Sequence, residues 1–398
     1  MHYAVPAILA RYGMLERLYT DIYAPNVPEP LRRWASRFGP APLRRWLGRA
    51  CDDIPPKRTV SFGILGVEYH RRRRRAAARG STAAVDLWAG KEFCRRVIQR
   101  GLGRAKGVYT FNSAGLELLR YAREHGLYPI TEQTLAPEEI YQEFLRQEQE
   151  TYPRWNASSV ENHHIHDYEE RERMEWSTAA LILCGSEFVR DGIGKMGGPV
   201  ERCRVVPYGV LPATQTLPRG NRHQPLRVLT VGTVGLRKGA PYIAEAARIL
   251  KQKTEFRLAG QVDVSPYAQR LLSEHIILLG SVPRSEIHRQ FAWADVFLLP
   301  TLCEGSATVC YEALSYGLPV ITTPNAGSVV RDGVDGFIVP IRDTIAIVDR
   351  IERFLDDRDL WASMSANALA RASEYTLEKY GERLLGVLQA AEVGKHKS

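Results

Sequence analysis

The chain has 398 residues, 44% of them hydrophobic and 25% charged, with a formal net charge of +9. That is material for two globular domains, each long enough to bury its own core. No apolar run reaches the roughly 18 residues a spanning helix needs, and residues 1–19 lack the charged start and unbroken apolar block of a signal peptide.

The six cysteines (Cys51, Cys94, Cys184, Cys203, Cys303, Cys310) show no CxxC spacing. Scattered thiols fit a reducing compartment, the cytoplasm, better than a disulfide framework. The charge is uneven. Residues 1–100 hold 20 Lys and Arg against 8 Asp and Glu, a net of +12 that leaves −3 for the rest. Such a bias implies an anionic partner for that part: a membrane surface, a phosphorylated acceptor or nucleic acid.

In chain order, residues 1–17 read directly as a helix, although a doubly wound domain ordinarily opens on a strand. The first strand is therefore expected to be missing or supplied in an unusual way. Residues 30–50 set Leu31, Trp34, Phe38, Leu43, Trp46 and Leu47 among Arg32, Arg33, Arg37, Arg44, Arg45 and Arg49. That composition serves an interfacial amphipathic helix pair or, equally, a helical hairpin packed on its domain. The run Arg71–Arg75 reads as a solvated charge stretch. If it binds anything, lipid phosphate at a membrane face is favoured over nucleic acid, because no nucleic-acid module accompanies it.

From residue 108 strand and helix signals alternate. Strands are expected at 108–111, 128–131, 180–184 and 203–206, with helices at 114–125, 138–149, 161–177 and 186–196. Residues 211–225, rich in Pro, Thr, Gly and Asn, read as an interdomain linker. Alternation then resumes, with strands at 227–231, 256–259, 276–279, 296–299, 319–322 and 337–339. The intervening helices are followed by three more at 344–355, 360–374 and 376–391. Strands joined by helix-length connections imply parallel sheets covered on both faces, and ligands bind at the carboxyl ends of such strands.

The densest chemical segment runs from Leu298 to Glu312. An apolar strand enters Pro300-Thr301, then Glu304-Gly305-Ser306, then a helix carrying Glu312. The amides of Gly305, Ser306 and Ala307 are expected at a helix N-terminus, where free donors and the helix dipole attract an anion such as a diphosphate. Glu304, at the strand exit, is placed for hydroxyls of a neighbouring sugar. Eight residues is close to two helical turns, so Glu312 falls on roughly the same face, where its carboxylate would accept both hydroxyls of a ribose. Spacing alone serves equally a first-turn acid and a surface charge. The small residues after Glu304 favour a ligand, which approaches backbone closely only past small side chains.

A second segment, Val231-Gly-Thr-Val-Gly-Leu-Arg-Lys-Gly-Ala240, joins a strand to a helix. Gly232, Gly235 and Gly239 let it turn tightly, and Arg237 and Lys238 bring charge suited to phosphate oxygens. It is neither GxGxxG nor GxxxxGK[ST], which disfavours dinucleotides and NTP hydrolysis. His163, His164 and His166 fit no common metal spacing and read as surface histidines, so no metal is expected.

These residues carry a resemblance. Lys238-Gly239, Ala294-Asp295-Val296, Pro300, the Glu304…Glu312 pair and Gly317-Leu318-Pro319-Val320 occur in that order, with Val206-Pro207-Tyr208-Gly209-Val210 upstream and Asp332-Gly333-x-x-Gly336 downstream. Together they resemble the retaining glycosyltransferases of family 4, specifically from about residue 180 to 340 and thinly before residue 108. The resemblance implies an α/β chain of GT-B fold, two Rossmann-like doubly wound domains facing a cleft. Residues 1–210 would bind the acceptor and 226–375 the nucleotide sugar, with a final helix at 376–398 crossing back to the first domain.

It further implies that Lys238 neutralises the donor diphosphate, Glu304 contacts the donor sugar and Glu312 binds the ribose. Gly235, Arg237, Gly305, Ser306, Ala307 and Thr308 would complete the diphosphate site, with the base near Gly260 and Val282-Pro283. No metal or other cofactor is implied, since lysine, arginine and the helix end replace it. Two features depart from the pattern. Thr233 stands where an arginine is usual, with Arg237 the candidate substitute. The first-domain strand ends, Phe111-Asn112-Ser113 and Thr131-Glu132-Gln133, contain no histidine, which leaves Glu132 as the candidate acceptor-side base, or else a solvated loop acid.

The expected activity is transfer of a sugar from a nucleotide diphosphate sugar to a saccharide or lipid-linked acceptor, with retention, at the inner face of a membrane. Two other readings stay open: a sugar-nucleotide epimerase on the same fold, for which no set of water-activating acids stands out, and a degenerate member that binds the donor without turnover.

Overall fold

A computed structural model describes residues 3–39, 49–77, 81–156, 164–213 and 222–395. By its internal contacts the chain divides into two compact units, Met1–Glu132 with Val160–Ile182 and Gln133–Ser159 with Leu183–Ser398.

The first unit does open on a helix, α1 (Ala4–Arg11), which is shorter than the expected 1–17 because the chain turns at Gly13 with φ +71°. Strands β1 (Leu18–Thr20) and β2 (Thr59–Ser61) follow, with α2 (Glu29–Phe38) between them; they pair in parallel as a sheet of their own. Of the two expectations for the first strand, this is the unusual supply and not the outright absence, since β1 joins a two-stranded sheet apart from the larger ones. Strands precede residue 108, but three residues are too few to show a period in sequence. Residues 40–48, including Leu43, Arg44, Arg45, Trp46 and Leu47 of the expected helix pair, lie outside the described residues.

Next come α3 (Gly63–Ala77), α4 (Ala83–Arg100), β3 (Gly107–Phe111), α5 (Leu116–Glu124) and β4 (Tyr128–Gln133). β3 and β4 run parallel from Gly107↔Tyr128 to Phe111↔Glu132. Cys94, Val97, Val108, Leu119 and Ala122 form the core beneath them.

The chain then enters the second unit with α6 (Glu138–Thr151) and returns to the first with α7 (Ile165–Thr178). Buried charge on α7 fixes the turn after β3. Glu175 accepts the amides of Ser113 at 2.6 Å and Gly115 at 2.9 Å. Arg171 donates to Ser113 O at 2.9 Å and grips both Glu117 oxygens at 2.7 and 2.6 Å. Ser113 sits at φ +66°, a left-handed conformation uncommon for a residue with a side chain, and these bonds hold it there. Burial outweighs the amide bonds and Arg171, so the Glu175 carboxyl is pushed up to about 7. His164, which caps α7, and His166 are exposed beside Asp167 and Glu169, as expected, while His163 lies outside the described residues.

β5 (Leu181–Cys184), wholly buried, carries the chain into the second unit, followed by α8 (Glu187–Lys195) and β6 (Cys203–Val205); the strand order of this sheet is β3-β4-β5-β6. Residues 183–210 thus pack with the second unit although they precede the 211–225 segment.

The larger sheet of the second unit uses β7 (Leu226–Val231), β8 (Thr254–Ala259), β9 (Ile276–Gly280), β10 (Val296–Leu299), β11 (Val320–Thr322) and β12 (Gly336–Ile338). Its helices are α9 (Ala240–Ile249), α10 (Pro266–Ser273), α11 (Ile287–Trp293), α12 (Thr308–Ser315), α13 (Thr344–Asp356), α14 (Arg358–Ser373) and α15 (Leu377–Lys395). All strands pair in parallel in the order β12-β11-β10-β7-β8-β9. Every residue of β10 is buried, as the apolar run of a strand covered on both faces requires. Chain order runs outward from β7 on one side and from β10 on the other. The reversal between them is the switch point at which ligand loops gather in such sheets.

Helix α6 is locked into this unit. Its fully buried Glu148 takes a hydrogen bond from Tyr242 at 2.8 Å and an ion pair from Arg342 at 2.6 Å. Helix α15 starts against residues 207–210, where Arg383 donates to Pro207 O at 3.2 Å and the Tyr208 and Tyr380 rings meet edge to face. Among the described residues no helix is long and apolar enough to cross a membrane.

Candidate active site

The site follows from the switch point. β7 and β10 are parallel neighbours with Val296 opposite Val228, so the loops leaving their carboxyl ends lie side by side. Leu302 N donates to Arg237 O at 2.9 Å, and the Thr301 hydroxyl lies 3.0 Å from the same carbonyl. Gly239, at φ +75°, ends the turn; a side chain there would stand 2.3 Å from Pro300 O. Only glycine satisfies both demands.

This clamp brings Lys238 and Arg237 onto Glu304. Lys238 Nζ is 2.6 Å from Glu304 Oε1, and an Arg237 terminal nitrogen contacts the same oxygen and also Cys303 O, at 3.0 Å. The Thr301 hydroxyl is 3.2 Å away. Lys238 and Glu304 are 9% and 8% exposed, too buried to be the first-turn acid and surface lysine of an ordinary loop. Burial acts to raise the Glu304 carboxyl, but Lys238 and Arg237 win and hold it below the usual carboxylate range. Arg237, the candidate substitute for the arginine missing at Thr233, is held on Glu304 and Cys303 O beside Lys238.

Glu312 lies on α12, partly buried, with Arg284 donating to it at 3.2 Å. Burial raises its carboxyl and Arg284 opposes the rise. Val282 is partly buried on the loop after β9, two residues from Arg284.

The helix N-terminus differs from expectation. α12 begins at Thr308, and the Ala307 amide is already spent on Ala326 O at 2.9 Å. Ala307 is therefore not a free donor here, and the open first-turn amides are those of Thr308 and Val309. Ser306 keeps its hydroxyl on Tyr311 at 2.7 Å. The reason for Gly305 also changes. A side chain there would stand 1.8 Å from Thr134 O, while the Gly305 carbonyl accepts the Ser186 hydroxyl. Backbone packed on backbone demands this glycine, whatever a ligand does. Gly260 is likewise fixed by Gly232 O, 1.7 Å from where its side chain would begin. Gly235, by contrast, is extended at φ −166° and owes nothing to glycine's freedom.

Glu132 belongs to the first unit. It is 4% exposed, at the end of β4, and takes the Tyr109 hydroxyl. It is therefore a buried strand acid, not the solvated loop acid of the alternative reading.

Sequence reasoning missed three neighbours. Tyr141 comes from α6, which packs on the turn Leu236–Lys238; burial raises its hydroxyl, with Arg237, Glu138 and Glu304 all within electrostatic reach. Ser186 caps α8 and holds Gly305. Arg284 stands one residue beyond Val282-Pro283, the pair expected near the base. For Tyr141 no local signal existed, because it reaches the site from before the linker.

Two Rossmann-like parallel α/β units with this cluster at the switch point define the GT-B class of fold. The sequence likeness is narrower: residues 225–357 match the model for glycosyl transferases group 1. The chain is 33% identical over 184 residues to the amylovoran biosynthesis glycosyltransferase AmsK of Erwinia amylovora, covering 42% of this chain and 45% of that one. It is 28% identical over 245 residues to the alpha-D-kanosaminyltransferase of Streptomyces kanamyceticus, covering 56% and 63%. The matched segments therefore span about half to three fifths of those relatives' lengths. Among solved structures, Anabaena Alr3699/HepE in complex with UDP and glucose matches with TM-score 0.61 at 14% identity, over 97% of this chain and 95% of that chain; at that identity the likeness shows the fold alone.

Proposed function

We propose that this chain is a retaining glycosyltransferase of family 4. It moves a sugar from a nucleotide diphosphate sugar to an acceptor hydroxyl in the assembly of a cell-surface polysaccharide or glycolipid. The observation that carries the reading is the buried Lys238–Glu304–Arg237 cluster at the switch point, inside the segment that matches group 1 glycosyltransferases. A net positive pair around one carboxylate is suited to a diphosphate, and the first-turn amides of α12 add to it.

In this reading Lys238 moves from Glu304 to the donor diphosphate and stabilises charge as it leaves. Glu304 takes hydroxyls of the transferred sugar, and Glu312 those of the ribose. A departing phosphate oxygen accepts the acceptor's proton. Lysine, arginine and helix end supply the positive charge, so the reaction needs no metal. Glu132 is retained as an acceptor-side group, and residues 1–210 as the acceptor-binding part. Amylovoran biosynthesis by AmsK supports the polysaccharide context, and UDP in HepE makes UDP the first donor nucleotide to test. We place the protein in the cytoplasm because all six cysteines are free thiols, the state a reducing compartment maintains.

A thermal-shift series with UDP, GDP, ADP and CMP tests the reading. A ligand that binds the folded state raises its midpoint by an amount set by concentration over Kd. One nucleoside diphosphate should raise the wild-type midpoint and lose that effect in Glu312→Ala. No shift with any of them, in a cooperatively melting sample, would overturn the donor site.

A further inference from the structure

The arginine run absorbed by no part of the donor site lies on α3. The helix sorts its side chains by direction. Inward, Leu65 is 3% exposed and the Tyr69 hydroxyl donates to Asp86 at 2.7 Å. Two of the five arginines are engaged within the first unit: Arg72 binds Glu68 and stacks 4.0 Å over the Trp88 ring, and Arg73 binds Asp86 at 3.2 Å.

The other three are not. Arg71, Arg74 and Arg75 are exposed, and among the described residues none forms an ion pair. At about 100° per residue, positions 64, 67, 71, 74 and 75 fall within roughly 100° of arc. The same stripe therefore carries Ile64 and Val67, which are 82% and 51% exposed. Aliphatic side chains so open to water, continuous with unpaired arginines, form a surface rather than a core face.

We propose that this stripe of α3 docks on an anionic lipid bilayer. Ile64 and Val67 enter the boundary between headgroups and acyl chains, and Arg71, Arg74 and Arg75 pair with lipid phosphates. The net +12 of residues 1–100 favours the same partner by charge complementarity. The aliphatic pair distinguishes this surface from one built for nucleic acid, whose phosphate backbone offers it nothing to bury against. A second helix of the unit, α2, exposes Trp34 at 55% and Phe38 at 67%, one turn apart.

The test is co-sedimentation of the full chain with vesicles of phosphatidylcholine alone, or of equal parts phosphatidylcholine and phosphatidylglycerol. Binding is expected only with the anionic lipid, weakening as salt rises. Each surface arginine contributes roughly fivefold to partitioning, so Arg71→Gln/Arg74→Gln/Arg75→Gln should lose on the order of a hundredfold. Ile64→Ser/Val67→Ser keeps every charge and should still bind several-fold more weakly. All these positions are exposed, so an unchanged melting midpoint certifies the fold. Failure of the wild type to bind anionic vesicles would overturn the proposal. So would binding unaffected by the aliphatic substitutions, or binding to duplex DNA or RNA in preference to vesicles. The variants leave Lys238, Glu304 and Glu312 intact, so a lost membrane surface and a wrong donor site give separate readouts.

Discussion

Lys238 Nζ and Glu304 Oε1 lie 2.6 Å apart, so the cation best placed for a diphosphate is already held by an acid of the same chain. A buried ion pair repays its desolvation when further hydrogen bonds satisfy it, and Arg237 and the Thr301 hydroxyl supply these to Glu304. An entering diphosphate must compete with Glu304 for Lys238.

This predicts that two substitutions of the pair separate. Lys238→Ala removes the cation and should lower kcat/KM by on the order of a hundredfold or more, with weaker nucleoside diphosphate binding. Glu304→Gln removes the competitor. It should bind nucleoside diphosphate at least as tightly as wild type in calorimetry while turnover falls. Parallel losses of binding in both variants would remove the competition from the account. Acid stability gives an independent check. Lys238 and Arg237 hold the Glu304 carboxyl below its usual range against burial. Its contribution to stability is therefore present above the unfolded value of about 4.3 and lost as pH falls through the folded value. Glu304→Gln should flatten that loss.

Glu175 has the opposite sign. Burial pushes its carboxyl up to about 7, so its contribution is full below the unfolded value and disappears as pH rises through 7. The linked stability is on the order of 3 kcal/mol. Wild type should melt at progressively lower temperature between pH 5 and pH 8. Glu175→Gln keeps an acceptor oxygen for only one of the Ser113 and Gly115 amides, so it should start less stable, but with no carboxyl to titrate it should lose most of that slope. Identical slopes in the two proteins would show that Arg171 and the amides keep Glu175 ionised throughout.

Glu148 is fully buried between Tyr242 and Arg342. Removing one partner of a buried ion pair costs about 3–5 kcal/mol, whereas replacing both by apolar groups is often neutral. Arg342→Leu should therefore destabilise strongly in urea denaturation, and Glu148→Leu/Arg342→Leu should recover most of the loss. If the double variant is as unstable as the single one, the cluster holds α6 through shape rather than charge.

Much of this architecture was legible because the second unit's strands are apolar, and most are buried and separated by full helices. Every expected strand from 227 onward is present within one or two residues of its expected limits. The Lys238 and Glu304 loops were readable as chemistry, and strand order then explains their meeting. Other features left no local trace. β1 and β2 are three residues long and show no period. The Ala307 amide looked free because its partner, Ala326, comes from a later loop. Gly305 looked like space for a ligand because Thr134, which occupies that space, lies far earlier in the chain. The last two misses are contacts with segments outside the local window, which spacing arguments do not see.

Helix α6 precedes the donor-loop residues by nearly a hundred positions yet seats Glu148 on Tyr242 and Arg342. A chimera joined at residues 211–225 would import β7 through α14 from one relative while keeping α6 from another. Its new seam would run through a buried ion pair rather than a flexible joint. Donor halves exchanged in this way should carry their own residues 133–159, a second splice that the linker's composition gives no reason to make.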